Sequence, residues 1–80
     1  MAIVFFSSEL QPLTGEEQTR VQSAIYRDII AELTEKYEKL DASRLMKMAI
    51  AIDGEIIHTP LLESVGENSE MHFLYRISGG

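Results

Sequence analysis

Eighty residues with 45% apolar and 25% charged side chains describe one globular domain with a modest core and little room for a deep substrate pocket. The absence of cysteine excludes disulfides, thiolate metal sites and a thiol nucleophile. Thirteen acids against seven bases give a net charge of −6, which repels phosphate backbones and argues against a nucleic-acid partner; the same charge suits either solubility or encounter with a basic protein surface. No basic stretch precedes an apolar run at the N-terminus, and no run of about 20 apolar residues is present. Neither a secretory signal nor a membrane span is therefore expected, and the expected location is cytoplasmic.

Ala2 to Ser7 predicts a strand, because Ile3, Val4, Phe5 and Phe6 are β-branched or aromatic. Leu10 to Gly15 carries Pro12 and Gly15 and predicts a turn. Over Glu16 to Gln22 two readings stand. Thr19 and Val21 fit alternate positions of a short polar edge strand, and a loop fits as well.

A helix follows. Ile25, Ile29, Leu33, Tyr37 and Leu40 recur at steps of four, four, four and three, and Ile30 widens that apolar stripe. Ser23 is the expected N-cap, and Glu32–Lys36 and Glu35–Lys39 have the favoured i, i+4 order on a solvated face. Leu45 to Ile52 predicts another strand. Asp53-Gly54 between two apolar runs predicts a type I′ hairpin into Glu55-Ile56-Ile57. Leu61 to Val65 reads as a short helical turn, Gly66 to Ser69 as a turn, and Met71 to Ile77 as the last strand.

One helix with one apolar stripe needs one sheet face to cover it. The expected fold class is therefore α+β, a mixed sheet of four or five strands wrapped around one main helix, with residues 1–77 as the domain and 78–80 as a flexible tail. Alternation along the last strand puts Met71, Phe73, Tyr75 and Ile77 on the core face and His72, Leu74 and Arg76 on the other. The sequence closes on Ser78-Gly79-Gly80. Two residues without side chains make a thin extension whose carboxylate fits a narrow channel in a partner enzyme; on composition alone the pair fits a loose end equally well.

The stretch from Ser69 to Gly80 resembles the C-terminal strand and tail of ubiquitin, with matching Ser69, His72, Arg76 and Gly79-Gly80 and no gap. The whole chain is similar to the bacterial sulfur carriers, the family of the molybdopterin synthase small subunit and the thiamine sulfur carrier. The Ile3-Val4-Phe5-Phe6 opening, the Leu13-Thr14-Gly15 turn, the single helix, the Asp53-Gly54 hairpin and the Gly-Gly end carry that similarity.

The resemblance implies a ubiquitin-like β-grasp fold and a protein substrate that is not itself an enzyme. An E1-like activating enzyme would use ATP to adenylate the carboxylate of Gly80, and sulfur transfer would convert the adenylate into a thiocarboxylate. A synthase large subunit would then accept the sulfur, with molybdopterin synthesis the favoured pathway. No cofactor would be bound. Gly79 would let the tail backbone approach closely. Leu74, Phe6 and Ile56 would form a shared apolar docking patch, with Ile77 and Ser78 leading into the tail. Arg76 would pair with an acidic group of the activating enzyme or stand as an ordinary strand-surface charge.

Molybdopterin-type carriers often have proline or threonine before Gly-Gly, where this chain has Arg76-Ile77-Ser78. Thiamine, cysteine and RNA-thiolation routes therefore stay open, as does a second class of function: a β-grasp modifier, attached through an isopeptide bond, or a docking module. His58 and His72 are too few and too far apart for a zinc site. Glu63, Glu67 and Glu70 read as solvated, and Met46, Met48 and Met71 as core fillers.

Overall fold

The computed structural model describes residues 1–57 and 62–74, and within them the predicted order of strands around one main helix is present, with two further short helices. The elements are β1 (Ala2–Phe5), α1 (Gln11–Thr14), β2 (Gln18–Val21), α2 (Tyr26–Lys36), α3 (Ala42–Met46), β3 (Ala49–Ile52), β4 (Glu55–Ile57) and β5 (Glu70–Leu74). They build a five-stranded sheet in the order β2-β1-β5-β3-β4. β1 and β5 are parallel, whereas β1–β2, β3–β4 and β3–β5 are antiparallel. The last strand therefore lies at the centre of the sheet.

The pleat decides which side chains meet α2. Val4, Ile50, Met71 and Phe73 point to one face and are buried with Ile29, Ile30 and Leu33 of the helix. Each such side chain, fully buried, contributes on the order of 1.5–3 kcal/mol. Thr19 and Val21 also turn inward, which selects the edge-strand reading of Glu16–Gln22 over the loop.

Local chemistry redraws several boundaries. α2 stops at Lys36; Tyr37 leaves the helical region (φ −117°, ψ 103°), and Leu40 is buried from the loop beyond it. Ser23 does not cap the helix. Ile25 holds the N-cap position without a side-chain cap, and Tyr26 N–H donates to the Glu63 carbonyl (3.0 Å). The Ser23 hydroxyl donates instead to Glu32 (2.9 Å), whose carboxylate also accepts from Gln22 and Ser23 N–H groups. Glu32 is thus drawn into the β2–α2 connection, and Lys36 reaches Thr19 (2.5 Å).

The predicted strand over Leu45–Ile52 is in fact a helix followed by a strand. The Asp41 carboxylate accepts from Ser43 N–H (3.2 Å) and starts α3, so Leu45 enters the core from a helix and Met46 is left 49% exposed. Met46 is therefore not a core filler, whereas Met71 is buried and Met48 packs against the core. The Tyr26 hydroxyl donates to the Leu45 carbonyl, and burial pushes that phenol up to about 12. The last strand is described as far as Leu74; the predicted Tyr75 to Ile77 lies outside the described residues, as does Leu61.

The hairpin is as predicted, with positive φ at Asp53 (51°) and Gly54 (85°). Asp53 does more than turn the chain. Its carboxylate accepts from the Ser69 hydroxyl (2.7 Å) and Glu70 N–H (2.9 Å), and its own N–H donates to the Glu70 carbonyl (2.9 Å). The turn is thereby clamped to the first residue of the central strand.

The Glu70 N–H and Ser69 hydroxyl hold the Asp53 carboxyl below the usual carboxylate range. Partial burial pushes Glu32 up, but hydrogen bonds from Gln22 and Ser23, together with the Lys36 charge, outweigh it and leave Glu32 low as well. A depressed folded-state value stabilises the fold fully above the unfolded value and progressively less as pH falls through the folded one. Stability is expected to decline as pH drops through and below the ordinary values of 4.5 for Glu and 3.8 for Asp. Denaturant titrations at stepped pH should show a shallower acid limb in Asp53→Asn and in Glu32→Gln. An unchanged limb in the double variant would refute this assignment.

Candidate docking face

The sheet face turned away from α2 carries the candidate site. Register places Phe5, His72, Ala51 and Ile56 in one row across β1, β5, β3 and β4, with Leu74 opposite Ala49 in the next. The Phe5 and His72 rings stack in parallel, with centroids 4.4 Å apart and planes 5° apart. Ile56 is 54% exposed, whereas Ala51 is buried beneath its neighbours. The result is an apolar strip crossing the sheet, with one imidazole at its centre and Arg20 and Glu70 on the same face toward the start of β5.

Two of the three predicted patch residues are here. Leu74 is half-buried on this face, and Ile56 is exposed on it. Phe6 is not. It is 4% exposed on the opposite side of the sheet, packed edge-on against Tyr37 at 5.5 Å. Its N–H donates to the Glu17 carbonyl, so it continues the alternation of Ala2 and Val4, both buried. Phe5 takes the place assigned to Phe6. The signal was available in the sequence: on a strand opening at Ala2, Ile3 and Phe5 share one face while Val4 and Phe6 share the other. His72 lies where alternation put it, beside Leu74.

Arg76, Ile77, Ser78, Gly79 and Gly80 lie outside the described residues, as does His58. Leu74 stands at the described end of the central strand, six positions before Gly80. Glu63, Glu67 and Glu70 are exposed. Among the described residues no cluster of three or more His, Asp or Glu is placed to hold a metal ion, and no helix is long and apolar enough to cross a membrane.

One main helix packed across a mixed five-stranded sheet, with the first and last strands as parallel central neighbours, defines the ubiquitin-like β-grasp fold of the α+β class. No protein-family model matches the chain, and no curated protein does. Solved structures do. CysO, in a BexX/CysO complex from Amycolatopsis orientalis, is 19% identical, with all of both chains covered and a TM-score of 0.84. Small archaeal modifier protein 1 from Methanosarcina acetivorans is 21% identical over 99% of this chain and 95% of its own, at a TM-score of 0.80. A complex of subunits 1 and 2 of molybdopterin-converting factor from Helicobacter pylori contains a chain 25% identical over 99% of this one and 97% of its own, at a TM-score of 0.68. These are the kinds of protein the sequence resembles, and the fold expected from that resemblance is the fold observed.

Proposed function

We propose that the protein is a sulfur carrier, a protein co-substrate with no catalytic site of its own, whose Gly80 carboxylate is activated and then converted to a thiocarboxylate. In the first step a carboxylate oxygen attacks the α-phosphorus of ATP on an activating enzyme and releases pyrophosphate. In the second a sulfide-level sulfur nucleophile attacks the acyl carbon and AMP leaves. A carboxylate is a poor electrophile, and the adenylate supplies the leaving group it lacks. The outward strip of Phe5, His72, Leu74 and Ile56 would dock the partner. Gly79 and Gly80 would let the tail thread beyond it.

The carrying observation is the full-length likeness to a molybdopterin-converting factor subunit solved together with its companion subunit. It favours molybdopterin synthesis among the sulfur pathways, with a synthase large subunit as acceptor. A second reading, attachment to target lysines through an isopeptide bond, is favoured by the likeness to a small archaeal modifier.

Intact mass spectrometry separates the two. The protein, verified by mass to end at Gly80, is incubated with ATP, the adenylating enzyme of its own cell and a sulfur donor. Exchange of one oxygen for sulfur is the expected result. A ladder of larger conjugates would establish the modifier reading instead, and an unchanged mass would refute both.

A further inference from the structure

β2 is an edge strand whose free side leads into a row of carboxylates. Because Phe6 N–H donates to the Glu17 carbonyl (2.8 Å), Phe6 and Glu17 form a hydrogen-bonded pair. Alternation along the antiparallel ladder then turns the backbone N–H and C=O of Gln18 and Arg20 away from β1. Among the described residues no hydrogen bond from a loop or side chain reaches those groups.

Where the strand ends, an open cleft of about 610 Å³ continues along α2, lined by Gln22, Ser23, Asp28, Glu32, Glu35 and Lys36. Glu32 is fixed there by the Gln22 and Ser23 N–H groups, and the Lys36 ammonium is turned toward Thr19. Three carboxylates line the cleft with one cation, Lys36, that is already engaged. Arg27, on the rim, lies 3.6 Å from Asp28 in an exposed ion pair, which leaves the cleft net acidic.

We propose that this edge and cleft form a second interaction surface, one that takes an extended basic segment of a partner protein. The segment would pair with Gln18 and Arg20 through its backbone and carry Lys or Arg side chains over Asp28, Glu32 and Glu35. Outward N–H and C=O groups at strand spacing are matched by another extended peptide backbone. The charge of the adjoining cleft selects the sign of that peptide's side chains. The surface lies on the rim beside α2, so it leaves the outward strip of Phe5, His72 and Leu74 open to a different contact.

The test is an NMR titration of the full ¹⁵N-labelled chain with a capped nine-residue peptide alternating lysine and valine; a glutamate–valine peptide of the same length is the control. Shifts and slowed amide exchange at Gln18 and Arg20 are expected with the lysine peptide alone, weakening with added salt. Arg20→Pro removes an outward N–H while sparing the ladder to β1, and should abolish the exchange protection. If that variant does not fold, Asp28→Asn/Glu35→Gln carries the test, with binding about fivefold weaker expected for two lost rim charges. Equal binding of the glutamate peptide, perturbation confined to the outward face, or unaltered affinity in the charge variant would overturn the proposal. So would an absence of binding at millimolar peptide, which would leave Arg20 as a charge that merely blunts the edge.

Discussion

A single alanine appended after Gly80 is expected to abolish adenylation while leaving the thermal midpoint unchanged. One added residue moves the terminal carboxylate by up to about 3.5 Å. In-line attack on a phosphorus atom needs the reacting atoms held within roughly 3–3.5 Å, and a 1 Å displacement alone can cost on the order of 100-fold. The extended protein would also bring a Cβ into a channel suited to glycine. Gly79→Ala should fail for that second reason, with its carboxylate at the native distance along the chain. Deletion of Gly79 and Gly80 should likewise abolish activation. It should spare the fold, because two glycines have no side chain to bury in the core, whose described members run as far as Phe73. Pyrophosphate exchange with the activating enzyme reads the chemistry, and circular dichroism on heating reads the fold. Full exchange by the alanine-extended protein, shown by mass to be untrimmed, would defeat the carrier reading. Unfolding of the truncated protein would make the tail a structural element instead.

Period was the most legible signal in this chain, and capping the least. The stripe through Ile29 and Leu33 and the alternation through Met71 and Phe73 place the core correctly, because burial on one face leaves a repeat that any reader can count. Asp53-Gly54 was legible because a type I′ turn admits few residues at two positive φ angles. α3 was missed because Leu45, Met46 and Met48 run on into Ile50 with only Lys47 as a polar interruption, which a half-buried strand accommodates equally well. The one contrary sign was a cap, the Asp41 side chain on Ser43 N–H, worth about 1 kcal/mol. Ser23 failed as a cap for a reason no local reading supplies: Glu32, nine residues away, takes its hydroxyl and its N–H. The docking strip was half legible. Leu74 followed from strand parity, whereas Ile56 and Phe6 were both placed by analogy with family positions. Ile56 is exposed on this face, and the analogy put the aromatic one residue too far along β1.

That displacement gives the adjacent phenylalanines opposite expected behaviour. Phe6→Ala should cost about 3–5 kcal/mol of stability, against a total of roughly 4–12 kcal/mol for a domain of this length. The ring is 4% exposed, and its edge-on contact with Tyr37 has no replacement. Phe5→Ala removes a half-exposed ring whose stacking on His72 is worth about 0.5–1.5 kcal/mol, so the fold should survive it. Binding should not. If Phe5 anchors the outward strip, truncation should raise the dissociation constant for the activating enzyme about 30-fold or more, the range of an aromatic hot spot. Ile56→Ala and Leu74→Ala should weaken the same complex without comparable loss of stability, since both sit on that face. Denaturant midpoints and calorimetric binding measured on both phenylalanine variants decide the matter. A destabilised Phe5→Ala that binds normally, beside a stable Phe6→Ala that does not, would return the docking role to Phe6 and reverse the assignment of the two sheet faces.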